Sequence, residues 1–278
     1  MARLRSRRTK PSTPLSTLRT DFGERDGYVA SMKGVLATHA PEVTVVDICH
    51  AVAPQDLLHA GVVWSAAIPY FPPGCVHVGV VDPGVGSARR ILAVEARDSI
   101  FLVPDNGLVG YVARREEIVR VIEVRERRFF LEAVSTTFHG RDIFAPVAAR
   151  LALGLHPAKL GPAVDDFELR SLPTSSRRTV CADPFGVEET GEVISGDTFG
   201  NITTNLRPSP GRRFVRLKIA DFESDRLATT YSDVAVGESL VLVGSTGFLE
   251  IAVRGGSAGF QLGVRVGAEV RAEWEGGS

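Results

Sequence analysis

Cysteine is scarce in this chain of 278 residues: Cys49, Cys75 and Cys181 stand far apart, and no two form a Cys-x-x-Cys pair. An odd, dispersed set builds neither a disulfide framework nor a thiolate zinc site, and it points to a reducing, cytoplasmic setting. Long apolar runs are also missing. The longest mostly apolar stretch, Gly61 to Phe71, is broken by Ser65 and Pro69 and is too short to span a bilayer. The N-terminus lacks the apolar core of a secretory signal. A surplus of positive charge is absent: 32 Lys and Arg face 33 Asp and Glu. That balance argues against a dedicated nucleic-acid binder, and with the apolar runs so short the expected partners include neither nucleic acid nor membrane.

The residues present describe an ordinary folded protein, with 44% hydrophobic and 23% charged residues. Charge is unevenly spread. Arg3, Arg5, Arg7, Arg8 and Lys10 crowd the N-terminus, and without those five the rest of the chain carries −6. Residues 1–14 read as a basic, solvated tail.

From residue 15 to 172 the pattern alternates between strand and helix. Strand-like runs occur at Ser16–Thr20, Val43–Val46, Cys75–Val81, Ile91–Glu95, Ile100–Val103 and Val119–Val124. Tyr28 to His39 places Val29, Met32, Val35 and Leu36 at helical spacing and stops before Pro41. A second helix is predicted from Pro54 through Trp64. A third is predicted after Asp142 as its cap, with Phe144, Val147, Ala148 and Leu151 on one face. Such alternation predicts an α/β domain with a largely parallel sheet. The run Pro173 to Arg178 reads as a linker. From 179 to 278 the chain shows short strands split by Gly, Asp, Asn and Pro, with no convincing helix, which predicts a smaller all-β, barrel-like domain.

Ligands of open parallel sheets sit at the carboxyl ends of the strands. Four predicted strands run into an aspartate there: Asp21, Asp47, Asp82 and Asp105. Aspartate also suits turns, but four together suit a metal ion, a sugar diol or a cationic ligand. Gly84 and Gly86 after Asp82 suggest a dinucleotide loop. That assignment fails because Arg89 takes the third glycine's place and Ile91–Glu95 reads as strand, not helix. The loop instead brings Asp82 and Arg89 into one pocket. Of the six histidines, His39, His59 and His156 lie near helix ends, His77 lies within a strand as a packed residue, and His50 is ambiguous. His139, in Thr137-Phe138-His139-Gly140-Arg141-Asp142, combines a glycine-flanked loop with charged neighbours and is the candidate for chemistry.

These segments carry a resemblance. Thr20-Asp21-Phe22-Gly23, Asp26-Gly27-Tyr28-Val29 and Met32-Lys33-Gly34 resemble the opening of the S-adenosylmethionine hydroxide adenosyltransferases, which are hydrolases related to fluorinase and chlorinase. Val81 to Arg90, Pro104-Asp105-Asn106-Gly107, Thr137 to Asp142, Asp197-Thr198-Phe199-Gly200-Asn201 with Thr204-Asn205, and Ser245 to Val253 follow in the family's order.

The resemblance implies attack of water on C5′ of S-adenosylmethionine, giving adenosine and methionine without a cofactor or metal. It implies a homotrimer with active sites between subunits and a catalytic set falling on Asp82, Arg89 and His139. Asp21 would hold the ribose hydroxyls. Asn201, with backbone near Val253 and Arg254, would read adenine. Phe199 and Tyr231 would pack around the nucleoside. Asp197 would pair with the methionine ammonium and Ser245 with its carboxylate; Glu250 lies in the same segment with no assigned role. In the related halogenases tyrosine stands where Asp82 is and a halide-contacting serine where Gly140 is, so this chain departs from them at both places. A halogenase, a metal-dependent hydrolase using the aspartates, and a non-catalytic nucleoside-binding protein are the alternatives. Either Asp82 or neutral His139 could take the proton from water; by ordinary pKa values the imidazole is the better base by about 3.5 kcal/mol.

Overall fold

The computed structural model describes residues 13–113, 117–180 and 186–276. The N-terminal basic cluster and Cys181 lie outside the described residues. The chain divides into two compact units between Ser171 and Leu172.

The first unit is built on a six-stranded sheet: β1 (Leu15–Thr20), β2 (Thr44–Cys49), β3 (Cys75–Val80), β4 (Ile91–Ala96), β5 (Ser99–Pro104) and β6 (Ile118–Glu123). Its order is β2-β1-β3-β5-β4-β6. The first four of these pair in parallel, and β4 runs antiparallel to β5 and β6. β3 is central and buried along its whole length, as expected of a strand covered on both faces. Gly79 within it lets Trp64 approach the sheet closely; a Cβ there would stand 2.8 Å from the indole.

Helix α1 (Tyr28–His39) buries Val29, Met32 and Leu36, the stripe expected from its spacing. It shares a core with Leu18 and Val78 of the sheet and with Val147, Ala148 and Leu151 of α4 (Ala145–Ala152). Helix α2 (Leu57–Ala67) begins later than expected. Asp56 caps it, accepting the His59 N–H at 2.9 Å, so the start is at Leu57 rather than Pro54. A short α3 (Gly110–Ala113) follows β5.

Asp142 is not a cap either. It lies inside a π-helical turn, Gly140–Phe144, that leads into α4. Its buried carboxylate accepts the Ser135 N–H at 2.8 Å and the Arg141 Nε–H at 2.6 Å. Asp47 is likewise not past a strand end, because β2 continues to Cys49 to pair with Arg19.

The second unit is a nine-stranded, barrel-like sheet. It comprises β7 (Ser176–Val180), β8 (Gly186–Gly196), β9 (Ile202–Thr204), β10 (Arg213–Ile219), β11 (Phe222–Ser224), β12 (Leu227–Ala228), β13 (Ser239–Val243), β14 (Leu249–Val253) and β15 (Glu269–Glu275). β8 serves three partners: its first part lies between β7 and β15 and its last part pairs with β9, and the register with β9 shifts between Val193 and Ser195. Such an irregularity bends a strand and turns the sheet toward closure. β7 begins inside the run read as linker. A single turn of helix, α5 (Ala258–Gln261), capped by Ser257, interrupts a region expected to be strand and loop. Among the described residues no helix is long and apolar enough to cross a membrane.

Candidate active site

In the first unit the polar residues gather at the carboxyl ends of β1 and β3. After β3 the chain turns tightly: Val85 N–H donates to the Asp82 carbonyl, and the Ser87 hydroxyl donates to the Gly84 carbonyl at 2.7 Å. Gly86 adopts φ +79°, and a Cβ there would stand 2.5 Å from the Thr136 carbonyl oxygen. Glycine is thus required twice over, and its absent side chain lets this loop close on the segment that carries His139.

The result is a compact set. Arg89 grips Asp82 with two donors, Nε to Oδ1 at 2.9 Å and Nη2 to Oδ2. The same Nη2 reaches His139 Nδ1 at 3.0 Å. The side chains of Asp82 and Arg89 are 5% and 10% exposed, so the pair is largely desolvated. Guanidinium only donates, so Nδ1 of His139 accepts and its proton resides on Nε2. Burial holds the imidazole below its ordinary pKa, Arg89 adds to this, and Asp82 and Asp142 do not outweigh them. His139 is therefore neutral at neutral pH.

Beside this set Phe22, Tyr28 and Phe138 meet edge-on or tilted, with ring centroids 5.1 to 5.9 Å apart. Gly140 backs onto them; an added Cβ would lie 3.2 Å from both Met32 Sδ and Phe22. Sequence reasoning missed this aromatic wall, although Phe22 and Phe138 directly adjoin Asp21 and His139.

The other aspartates separate in role. Asp21 accepts the Gln55 N–H at 2.8 Å, with Gln55 held at φ 66°. Asp105 is spent on structure, taking Arg90 Nε and the Glu168 N–H, both at 2.8 Å. Asp47 pairs with Lys33 and lies 3.1 Å from His50 Nε2, which makes His50 structural as well. His77 is packed as expected: its Nδ1 lies 2.9 Å from Thr17 Oγ1 and its ring stacks on Phe101.

In the second unit a cavity of about 570 Å³ is lined by Asp197, Phe199, Asn201, Tyr231, Val253 and Arg254, and by the turn Gly255 to Ser257. Six residues expected to contact the nucleoside or methionine, Asp197, Phe199, Asn201, Tyr231, Val253 and Arg254, therefore line one cavity. Asp197 builds the turn that presents Asn201. Its Oδ1 accepts the N–H groups of Phe199 and Asn201, and its Oδ2 accepts Asn201 Nδ2, each at 2.9 Å. The Asn201 amide is thereby fixed with its carbonyl oxygen left to accept. Ser245 lies exposed in the β13–β14 turn and does not line this cavity; Glu250 is buried behind Tyr231. Gly255 to Ser257 were not anticipated, and a Gly-Gly-Ser turn directly after a strand is the signal that could have found them.

Residues 16–161 match the N-terminal domain of the SAM hydroxide adenosyltransferases, and residues 191–271 match their C-terminal domain. The chain belongs to this family. Within reach of this hydroxide adenosyltransferase sequence is a protein of Salinispora tropica named (R)-S-adenosyl-L-methionine hydrolase, 44% identical over 93% of this chain and 97% of its own. A protein of the same name from Thermus thermophilus is 40% identical over 91% and 96%. A fluorinase of Actinopolyspora mzabensis is more distant, 28% identical over 94% and 97%. A crystal structure of an uncharacterized conserved protein from Thermotoga maritima superposes with a TM-score of 0.81 at 35% identity, covering 93% of this chain and 99% of that one.

Proposed function

We propose that this protein hydrolyses S-adenosyl-L-methionine by attack of water at C5′, releasing adenosine and methionine. The observation that carries the proposal is the hydrogen-bonded, half-buried Asp82–Arg89–His139 set in a chain whose relatives at 40–44% identity bear the hydrolase name. The leaving group is a neutral thioether departing from a sulfonium, so no general acid is needed. The site must hold water in line, exclude other nucleophiles and take one proton.

The hydrogen bonding favours Asp82 as the acceptor of that proton. The lone pair of His139 is committed to Arg89, which leaves Nε2–H to donate to the water oxygen and orient it. Water is far too weak an acid to give its proton to a carboxylate in advance, so Asp82 does not store hydroxide. The proton leaves late, as the C–O bond forms, while Arg89 and the imidazole N–H stabilise the developing charge.

Asp21 binds the ribose hydroxyls, Asn201 reads the adenine edge, and Phe199 and Tyr231 pack around the nucleoside. Asp197 and Ser245 serve the methionine end. The protein assembles as a cytoplasmic homotrimer whose active sites are completed by neighbouring subunits. Supporting this, Phe199 is 79% exposed and Phe260 90% exposed in the single chain, apolar surface of a kind that association covers. Light scattering should give a trimer; a fully active monomer would remove the shared site.

The deciding experiment is turnover in water enriched in ¹⁸O. The label should appear in the 5′-hydroxyl of adenosine. Release of adenine, or unlabelled adenosine, would overturn the proposal.

A further inference from the structure

The hydrolysis scheme assigns nothing to Glu250. The residue is only 9% exposed, on β14, and its neighbours in register are the uncharged Thr203 of β9 and Leu242 of β13. Oε1 accepts the Tyr231 hydroxyl at 2.7 Å. Oε2 lies against Gly244, where an added Cβ would stand 2.7 Å away. Burial raises the Glu250 pKa, the Tyr231 hydrogen bond opposes that, and Asp197 adds to it; no cation is among these influences. Tyr231 in turn is pushed up to about 12, by burial first and then by Glu250 and Asp197.

A tyrosine has one proton to donate. Here it goes to Glu250, so the phenol oxygen turns only lone pairs toward the cavity that Tyr231 lines. Asp197 on the same wall is a carboxylate whose three hydrogen bonds come from neutral N–H groups. Arg254 is the cation among the described lining residues, and its Nη1 is drawn to the Val234 carbonyl at 2.7 Å. The Asp197–Tyr231 side is therefore rich in acceptors and negative charge. S-adenosylmethionine carries a sulfonium and an ammonium, whereas adenosine is neutral.

We propose that Glu250 is a positioning residue which, through the Tyr231 hydroxyl, turns an acceptor toward the positive charge of bound S-adenosylmethionine and so makes the site prefer the cationic substrate over its neutral nucleoside product. The inference rests on the hydrolysis proposed above. It extends that proposal by naming a discrimination step that holds substrate while letting product leave.

The test compares Glu250→Gln, Tyr231→Phe and the double variant. Glutamine keeps an acceptor for the phenol but loses the charge; phenylalanine keeps the ring but loses the oxygen. Three quantities are read: kcat and KM with S-adenosylmethionine, and Kd by calorimetry for adenosine and for S-adenosylhomocysteine. Each single variant should lower kcat/KM about tenfold through KM, leave adenosine Kd within about twofold, and show no further loss when combined. A parallel loss for S-adenosylhomocysteine would identify the ammonium as the charge recognised; no loss there would identify the sulfonium. Adenosine weakened as much as S-adenosylmethionine, or fully additive losses, would overturn the inference by making the pair a packing element only. Wild-type protein that neither binds adenosine nor consumes S-adenosylmethionine would instead sink the hydrolysis proposal.

Discussion

One Nη2 of Arg89 serves both Asp82 and His139, the latter at 3.0 Å, so the carboxylate and the imidazole share a single cation. Protonating His139 would take away the lone pair that accepts from Arg89 and would set two positive groups side by side.

That relationship fixes the direction of a pH effect. The His139 pKa is depressed, by burial and then by Arg89, so the competent neutral form is present above the lowered value and lost as pH falls through it. Activity should therefore hold below the ordinary histidine value of about 6.5 and fall on one acidic limb. A profile of kcat/KM against pH checks this. A limb centred above that value would contradict the tautomer assigned to His139.

Replacing Asp82 with Asn removes the proton acceptor and keeps the shape. A general base typically contributes 10²- to 10⁴-fold, so kcat should drop by about that factor while adenosine Kd changes little. Asp21→Ala should show the opposite pattern, with weaker adenosine binding and a smaller effect on turnover at saturation. Exchange of the two patterns would exchange the two roles.

Much of this arrangement was readable in the residues alone, because the cues are local. The apolar run through β3, the stripe of α1 and the strand grammar of the second unit follow from spacing that neighbours dictate. What escaped depends on pairings that spacing along the chain does not reveal. β2 runs on through Asp47 because Cys49 finds Arg19 across the sheet. Asp142 is drawn into the core by Ser135 and Arg141, and a π-helical turn follows, so its apparent capping signal misleads. The short strands β11 and β12 exist through their partners β10 and β13. The contact of Gly86 with Thr136, which brings Arg89 to a histidine 50 residues away, has no local signature.

Activity should survive exhaustive EDTA treatment. Among the described residues no three of His, Cys, Asp and Glu converge in a way that would hold a metal ion. Asp82 and Asp105 are taken up by Arg89 and Arg90, and Asp47 by Lys33. Abolition by EDTA with rescue by Mg²⁺ would favour a metallohydrolase.

His77 predicts a stability effect away from the site. Burial lowers its pKa to about 3, far below the value it has in an unfolded chain. Between those values the unfolded state binds a proton that the folded state refuses, so stability is complete above about pH 6.5 and is lost as pH falls toward 3, at up to about 1.4 kcal/mol per unit. Denaturant unfolding at pH 7 and pH 5 should show the loss. His77→Gln, which can still meet Thr17, should flatten the dependence; an unchanged slope would place its origin elsewhere.

Chloride at high concentration should not yield 5′-chloro-5′-deoxyadenosine. A halide about 4 Å from a carboxylate is repelled by about 4 kcal/mol at an effective dielectric of 20. Arg89 offsets part of this but is already shared between Asp82 and His139. What is left of the repulsion still disfavours halide, whereas water can donate a hydrogen bond to the same carboxylate. Gly140 supplies no hydroxyl, and a serine there would press its Cβ toward Met32 and Phe22, 3.2 Å away. Gly140→Ser alone should therefore lower hydrolysis without creating halide transfer, because Asp82 remains. Chromatography of the nucleoside products decides it: a chlorinated nucleoside from the wild type would refute the role given to Asp82, and one from Gly140→Ser alone would show that the missing hydroxyl, not the carboxylate, is what excludes halide.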